Sequence, residues 1–297
     1  MLVSNRMPKK SLIFLFCLVI LFFVIFYSKK LNEPKKYTTN KVPNLIVIPN
    51  NSAIAPVVIK NNYIPLSNTE ISKIEELKNY LLGKFDHFKR DDFVLVSDKY
   101  TFPDLKIYLR KEAYLAFQKM SEEASKEEVN LKIISGLRTF NYQKSIWEGK
   151  WNGTTLANGK NLKKTITDEF ERVKKILEYS AMPGTSRHHW GTEIDLNNTD
   201  AFYFDSEKGK KEYDWMVNNA SRFGFCQPYN KKDEINMRTG YSEEKWHWSY
   251  LPISKELTKN YTSLITEDTI KGFLGDKYVA DMNIITDYVL GINPECI

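Results

Sequence analysis

Cysteine is scarce in this chain: Cys17, Cys226 and Cys296 are the only three among 297 residues, and no C-x-x-C spacing exists. A thiolate zinc centre is therefore excluded, and any metal must be held by imidazole and carboxylate. Histidine is almost as rare, with four copies. There is no block of like charge, since 43 basic and 37 acidic residues are interspersed to a net charge of +6. That pattern argues against a nucleic-acid groove and supports only a mild preference for anionic surfaces. No internal repeat is visible. A Cys226–Cys296 disulfide outside the cytoplasm and two unpaired thiols weigh equally on sequence grounds.

Long apolar runs are also lacking, with one exception, Leu12–Tyr27, flanked by Lys9, Lys10, Lys29 and Lys30. At ~1.5 Å per residue the run falls slightly short of a ~30 Å hydrocarbon core, a gap that snorkelling lysines can cover. No small-x-small cleavage site follows it, so the expectation is an uncleaved signal-anchor, a transmembrane helix within residues 1–30. Residues 31–69 hold Pro34, Pro43, Pro49, Pro56 and Pro65, five of the eleven prolines, and read as an extended tether.

Helical spacing begins near Glu70, with Ile71, Ile74, Leu77 and Leu81 in phase and Gly83 as a stop. Leu109, Ala113, Ala116, Phe117, Met120 and Ala124 predict a second, core-facing helix. A third is expected over about Thr167–Tyr179 and another over Tyr213–Ala220, with short strands at Leu131–Ser135, Gly191–Leu196 and Trp246–Leu251. Mixed elements without βαβ alternation predict an α+β fold with an antiparallel sheet. The catalytic domain is placed at 70–253, and 254–297 reads as a peripheral helical extension.

Three of the four histidines fall in two short segments, Pro183–Asp195 and Glu243–Trp248. A catalytic zinc takes three His or carboxylate ligands and keeps a fourth position for water, and His188, Asp195 and His247 can supply that set. Gly191 permits the turn that would bring Asp195 back beside His188. Glu244, three residues before His247, is the candidate general base, and Arg138, just after Gly136, the candidate cation for an oxyanion or a substrate carboxylate. Each residue alone has an ordinary reading as packing or solvated surface; the combination outweighs those readings. Trp190 and Trp248, core residues by default, are also candidates to wall off the far end of a cleft.

These segments resemble the D-alanyl-D-alanine carboxypeptidase family of the VanY type, with its lysostaphin-like and hedgehog-like relatives. Ser186-x-His188-x-x-Gly191-x-x-x-Asp195, Glu244-x-Trp246-His247 and Ser135-Gly136-x-Arg138 through Gln143 follow the family's motifs in its order. The resemblance implies a small central antiparallel sheet flanked by helices, zinc on His188, Asp195 and His247, Glu244 as base, Arg138 as substrate and transition-state cation, and Ser186 and Gln143 as substrate contacts. Departures from the pattern are Arg187, Glu193, Lys245 and Ser249.

The expected function is removal of a C-terminal D-amino acid, by a D,D or L,D cut, from peptidoglycan stem peptides or precursors. Such a substrate would put the domain on the extracytoplasmic side of the cytoplasmic membrane, with residues 12–27 as a single-pass anchor and no nucleic-acid partner. The alternatives are an endopeptidase of the same fold and a wall-binding module without turnover.

Overall fold

The computed structural model describes residues 66–233 and 237–297, so the expected anchor and nearly all of the expected tether lie outside the described residues. Helix α1, Asn68–Leu81, begins two residues before the expected boundary because Ser67 and Glu70 form a reciprocal capping box. It ends at Gly83, whose φ of +71° suits glycine and where a Cβ would sit 2.4 Å from His189 Nδ1.

A two-stranded antiparallel ribbon follows, β1 Phe93–Leu95 with β2 Tyr108–Arg110, so Leu109 lies in a strand rather than in the helix expected there. Helix α2, Lys111–Ser125, buries Ala113, Phe117, Met120 and Ala124 at helical spacing. After β3, Ile133–Ser135, come helix α3, Phe140–Asn152, the single turn α4, Leu162–Thr165, and α5, Glu169–Ile176. Strand β4 is Glu193–Leu196, helix α6 Glu207–Asn219, β5 Phe225–Cys226, β6 His247–Tyr250 and helix α7 Leu251–Leu264.

The central sheet is four-stranded and antiparallel, in the order β3-β4-β6-β5. Its side chains alternate between faces with period two. Ile194 and Trp248 pair across one face and pack with Ile133, Phe117 and Met120. Glu193 opposite Ser249 and Asp195 opposite His247 occupy the other face. The strands β4 and β6 are thus apolar on one side and carry the chemistry on the other.

The segment after β6 is not peripheral. Helix α7 continues β6 without a loop and spans the expected boundary at 253/254. It buries Leu257 and Tyr261, and the Tyr261 hydroxyl donates to Gly184 O at 2.8 Å. Short 3-10 pieces and one π turn complete the chain, and Cys296 is joined to Cys226 of β5. The hydrophobic contribution of this segment is part of the main core, which includes Trp147, Trp190, Ile284 and Val289.

Candidate metal and catalytic site

Gly191 takes φ +69° and closes the 3-10 turn Arg187–Trp190, which returns the chain into β4 so that Asp195 lies beside His188. A Cβ at Gly191 would meet Phe93 at 2.4 Å, so both conformation and space demand glycine. His188 Nδ1 lies 2.7 Å from Gly136 O. A carbonyl only accepts, so Nδ1 carries the proton and Nε2 offers its lone pair. His247 is arranged the other way: Nε2 lies 2.8 Å from Glu193 Oε2, and Nδ1 faces Asp195 and Glu244.

Asp195 Oδ1 is 3.3 Å from His188 Nε2 and 3.4 Å from His247 Nδ1. Ligands ~2.1 Å from a tetrahedral zinc lie about 3.4 Å apart, so these two spacings fit that ion, and all three ligand atoms lie within 4.8 Å of one another. His188 Nε2 and Asp195 Oδ1 are also buried with no hydrogen-bond partner. Two orphaned lone-pair donors aimed at one point would be costly in an empty interior, and they are what a cation would satisfy. The ligand set His188, Asp195 and His247 is the one group of this kind among the described residues.

Electrostatics are set by burial and by a ring of carboxylates. Burial alone would lower the His247 imidazolium, but Glu193, Glu244 and Asp195 outweigh it and push the group up to about 9. A metal must displace that proton, so its affinity falls with falling pH. Burial lowers His188, with help from Arg138. Burial raises the Asp195 carboxyl, yet the adjacent His188 ring and the Arg138 guanidinium overrule it and hold the group well below the carboxylate range. Glu244, 3.2 Å from His247 Nδ1 through Oε2, is raised by burial. A carboxylate shifted upward is better matched to taking and returning a proton near neutrality.

Arg138 ion-pairs with Asp195 Oδ2 and donates from Nε to Ser135 Oγ at 2.9 Å. Arg138, Ser186, Glu244 and the three candidate ligands line one cavity of about 950 Å³. Gln143 does not. It is fully buried behind the wall, where Nε2 donates to Ala181 O at 2.8 Å, so it supports the cavity rather than touching what enters it. Trp190 and Trp248 wall off nothing either: Trp190 is a core residue donating to Leu81 O, and Trp248 lies on the opposite sheet face. Trp246 is the tryptophan that lines the cavity.

Two residues that sequence reasoning treated only as departures support the site. Glu193 Oε1 accepts from Ser249 Oγ at 2.6 Å and from Thr192 Oγ1 at 3.0 Å, and lies 3.6 Å from Arg187 Nε. Arg187 in turn donates to Ser249 Oγ and to Thr258 Oγ1 of α7, both at 2.9 Å, and stacks over Trp190. Burial would raise Glu193, but Arg187, His247 and Ser249 bring it down to about 2. A histidine ligand whose other nitrogen is held by a carboxylate keeps its orientation and gains basicity. Strand periodicity was the available signal, since Glu193 is two residues from Asp195 and must share its face.

Comparison with known proteins matches residues 106–253 to the family described as VanY, D-alanyl-D-alanine carboxypeptidase. The protein YodJ of Bacillus subtilis is 28% identical over 170 residues, covering 56% of this chain and 55% of its own. A D-alanyl-D-alanine carboxypeptidase of Enterococcus faecalis is 33% identical over 162 residues, covering 52% of each chain. The chain thus spans about half the length of these two relatives. Among solved structures, VanYB in complex with D-alanine-D-alanine gives a TM-score of 0.42 at 23% identity, covering 61% of this chain and 89% of that one. The LdcB LD-carboxypeptidase gives 0.43 at 23% identity, covering 62% and 81%. Residues 106–253, which hold the four-stranded sheet and the site, thus form a domain of the VanY D-alanyl-D-alanine carboxypeptidase family.

Proposed function

We propose that this protein is a zinc-dependent carboxypeptidase that removes a C-terminal D-amino acid from peptidoglycan stem peptides. The observation that carries the reading is the convergence of His188 Nε2, Asp195 Oδ1 and His247 Nδ1 beside the buried Glu244 carboxylate. His188, Asp195 and His247 would hold zinc, which supplies Lewis-acid polarisation of the scissile carbonyl and lowers the pKa of water. Glu244 takes the proton of the attacking water and returns it to the leaving amine nitrogen. Arg138 lines the cavity beside Asp195 and presents a fixed charge toward the oxyanion that develops on the carbonyl. Ser186, at the cavity wall, is available to hydrogen-bond the substrate.

A peptide substrate of the mature wall lies outside the cytoplasmic membrane. We therefore place residues 28–297 on that side, with 12–27 as the anchor. No described helix is long and apolar enough to cross a membrane, and the Leu12–Tyr27 run lies outside the described residues. Protease added to spheroplasts should remove the domain; protection until lysis would refute the placement. Mass spectrometry of muropeptides treated with the zinc-loaded chain tests the reaction. Loss of one terminal residue supports it, whereas fragments from mid-stem cleavage would favour the endopeptidase reading.

A further inference from the structure

The cavity holds a second cation that this reaction does not use. Lys150, in the last turn of α3, lines the same cavity as Arg138, Ser186 and Glu244. Its ammonium donates to the buried Ser180 hydroxyl, which also lines the cavity. Among the described residues no carboxylate lies within ion-pair distance of it. The other lysine on that helix, Lys144, is by contrast paired with Glu148 at 3.8 Å. Burial, and then the like charge of Arg138, pull the Lys150 ammonium below the ordinary lysine range, while Glu244 pushes it the other way. The side chain is therefore partly desolvated and within electrostatic reach of the catalytic groups.

Arg138 is committed to Asp195. An anionic end of a substrate entering this cavity consequently meets one cation without a protein counter-charge. A partly buried ammonium in that position is relieved by a charge-assisted bond to a carboxylate. We infer that Lys150, steadied by Ser180, is a specificity-determining residue that binds the free C-terminal carboxylate of the peptide. The inference rests on the peptidase reading of the site. It divides the two cavity cations by task, Arg138 at the reacting carbonyl and Lys150 at the chain end.

The test uses the full-length, zinc-loaded chain carrying Glu244→Gln to stop turnover. Calorimetry compares diacetyl-L-lysyl-D-alanyl-D-alanine, whose one carboxylate is terminal, with its C-terminal amide. The parent should bind the acid more tightly by a factor of ~10–100, the range of a hydrogen bond to a charged group. Lys150→Met should bring the ratio toward one, and Lys150→Arg should keep most of it. Bound zinc and the melting temperature of each variant report folding, and Lys150→Gln serves where the Met variant does not fold. A ratio retained without the ammonium, equal binding of acid and amide by the parent, or binding of neither, overturns the inference. Hydrolysis by the wild-type chain is scored separately. Turnover with the ratio retained in Lys150→Met removes the role of Lys150 and leaves the reaction, whereas acid preference without turnover does the reverse.

Discussion

Replacing Glu193 by glutamine keeps the shape of the side chain and removes its charge, which isolates what the buried carboxylate does. Glu193 is fully buried, and so is Arg187, whose Nε lies 3.6 Å away. At that separation and an effective dielectric of ~20 the attraction is about 4–5 kcal/mol. Removing one partner of a buried pair typically costs roughly 3–5 kcal/mol, because the other charge is left uncompensated. For a domain of this size that corresponds to a fall in Tm of roughly 6–20 °C. Glutamine can still accept the His247 Nε2 hydrogen, now at 2.8 Å from Glu193 Oε2, so zinc should be retained. The neutral amide no longer raises the basicity of the imidazole, and affinity should fall about 10–100-fold. Thermal melts of the metal-free protein and competition titration with a zinc chelator measure the two effects independently. Wild-type values for both in Glu193→Gln would refute the reasoning.

Three further outcomes are expected. Glu244→Gln should keep its zinc and lose turnover by a factor on the order of 10² or more, whereas His188→Ala, Asp195→Ala or His247→Ala should each lose the metal by elemental analysis; full zinc in any of these three, with loss in His189→Ala, would reassign the ligands. His189 is buried between Arg138 O and the Gly184 amide, which donates to its Nε2 at 2.9 Å, and burial lowers it to about 4. Its unfolded value is ~6.5, so its stabilisation is complete above pH 6.5 and is lost as pH falls toward 4, at roughly 1.4 kcal/mol per pH unit. Chemical denaturation of metal-free wild type and His189→Gln should diverge over that window, and parallel profiles would contradict the assignment. The Cys226–Cys296 disulfide closes a 70-residue separation, which by loop-closure entropy contributes about 4 kcal/mol; a Cys226→Ser, Cys296→Ser chain with unaltered stability would show that the C-terminal segment holds itself in place.

How much was legible beforehand differs by residue. His188 and Asp195 were readable because chemically specific residues fall at fixed offsets around Gly191, whose positive φ makes the turn, and Glu244 and His247 because they lie three residues apart in a second short segment. The bodies of the helices found at 68–81 and 111–125 followed from apolar spacing, but their starts did not: the Ser67/Glu70 capping box went unread, and Leu109 was drawn into the second helix although it lies in a strand. Gln143 was misjudged because its place in a motif says nothing about which side of the cavity wall it faces. Trp190 and Trp248 are core residues, as their default reading had it; the alternative that placed them at the cleft fails for Trp248 because a residue next to a ligand in a strand points to the opposite face. The tail beyond α7 was unreadable as core, since 3-10 and π turns lack a sustained period for sequence patterning to detect. Arg187 and Glu193 went unrecognised as a pair because their meeting depends on the turn between them, not on local propensity.

The central claim is that His188, Asp195 and His247 hold zinc for a Glu244-dependent removal of one terminal D-residue. The most direct measurement is mass spectrometry of a D-alanyl-D-alanine-ended stem peptide after incubation with the metal-free chain, the zinc-loaded chain and zinc-loaded Glu244→Gln. The account predicts a product shorter by one alanine from the zinc-loaded chain alone. Intact peptide in that sample despite bound zinc, or an equal yield of product from Glu244→Gln, would contradict it.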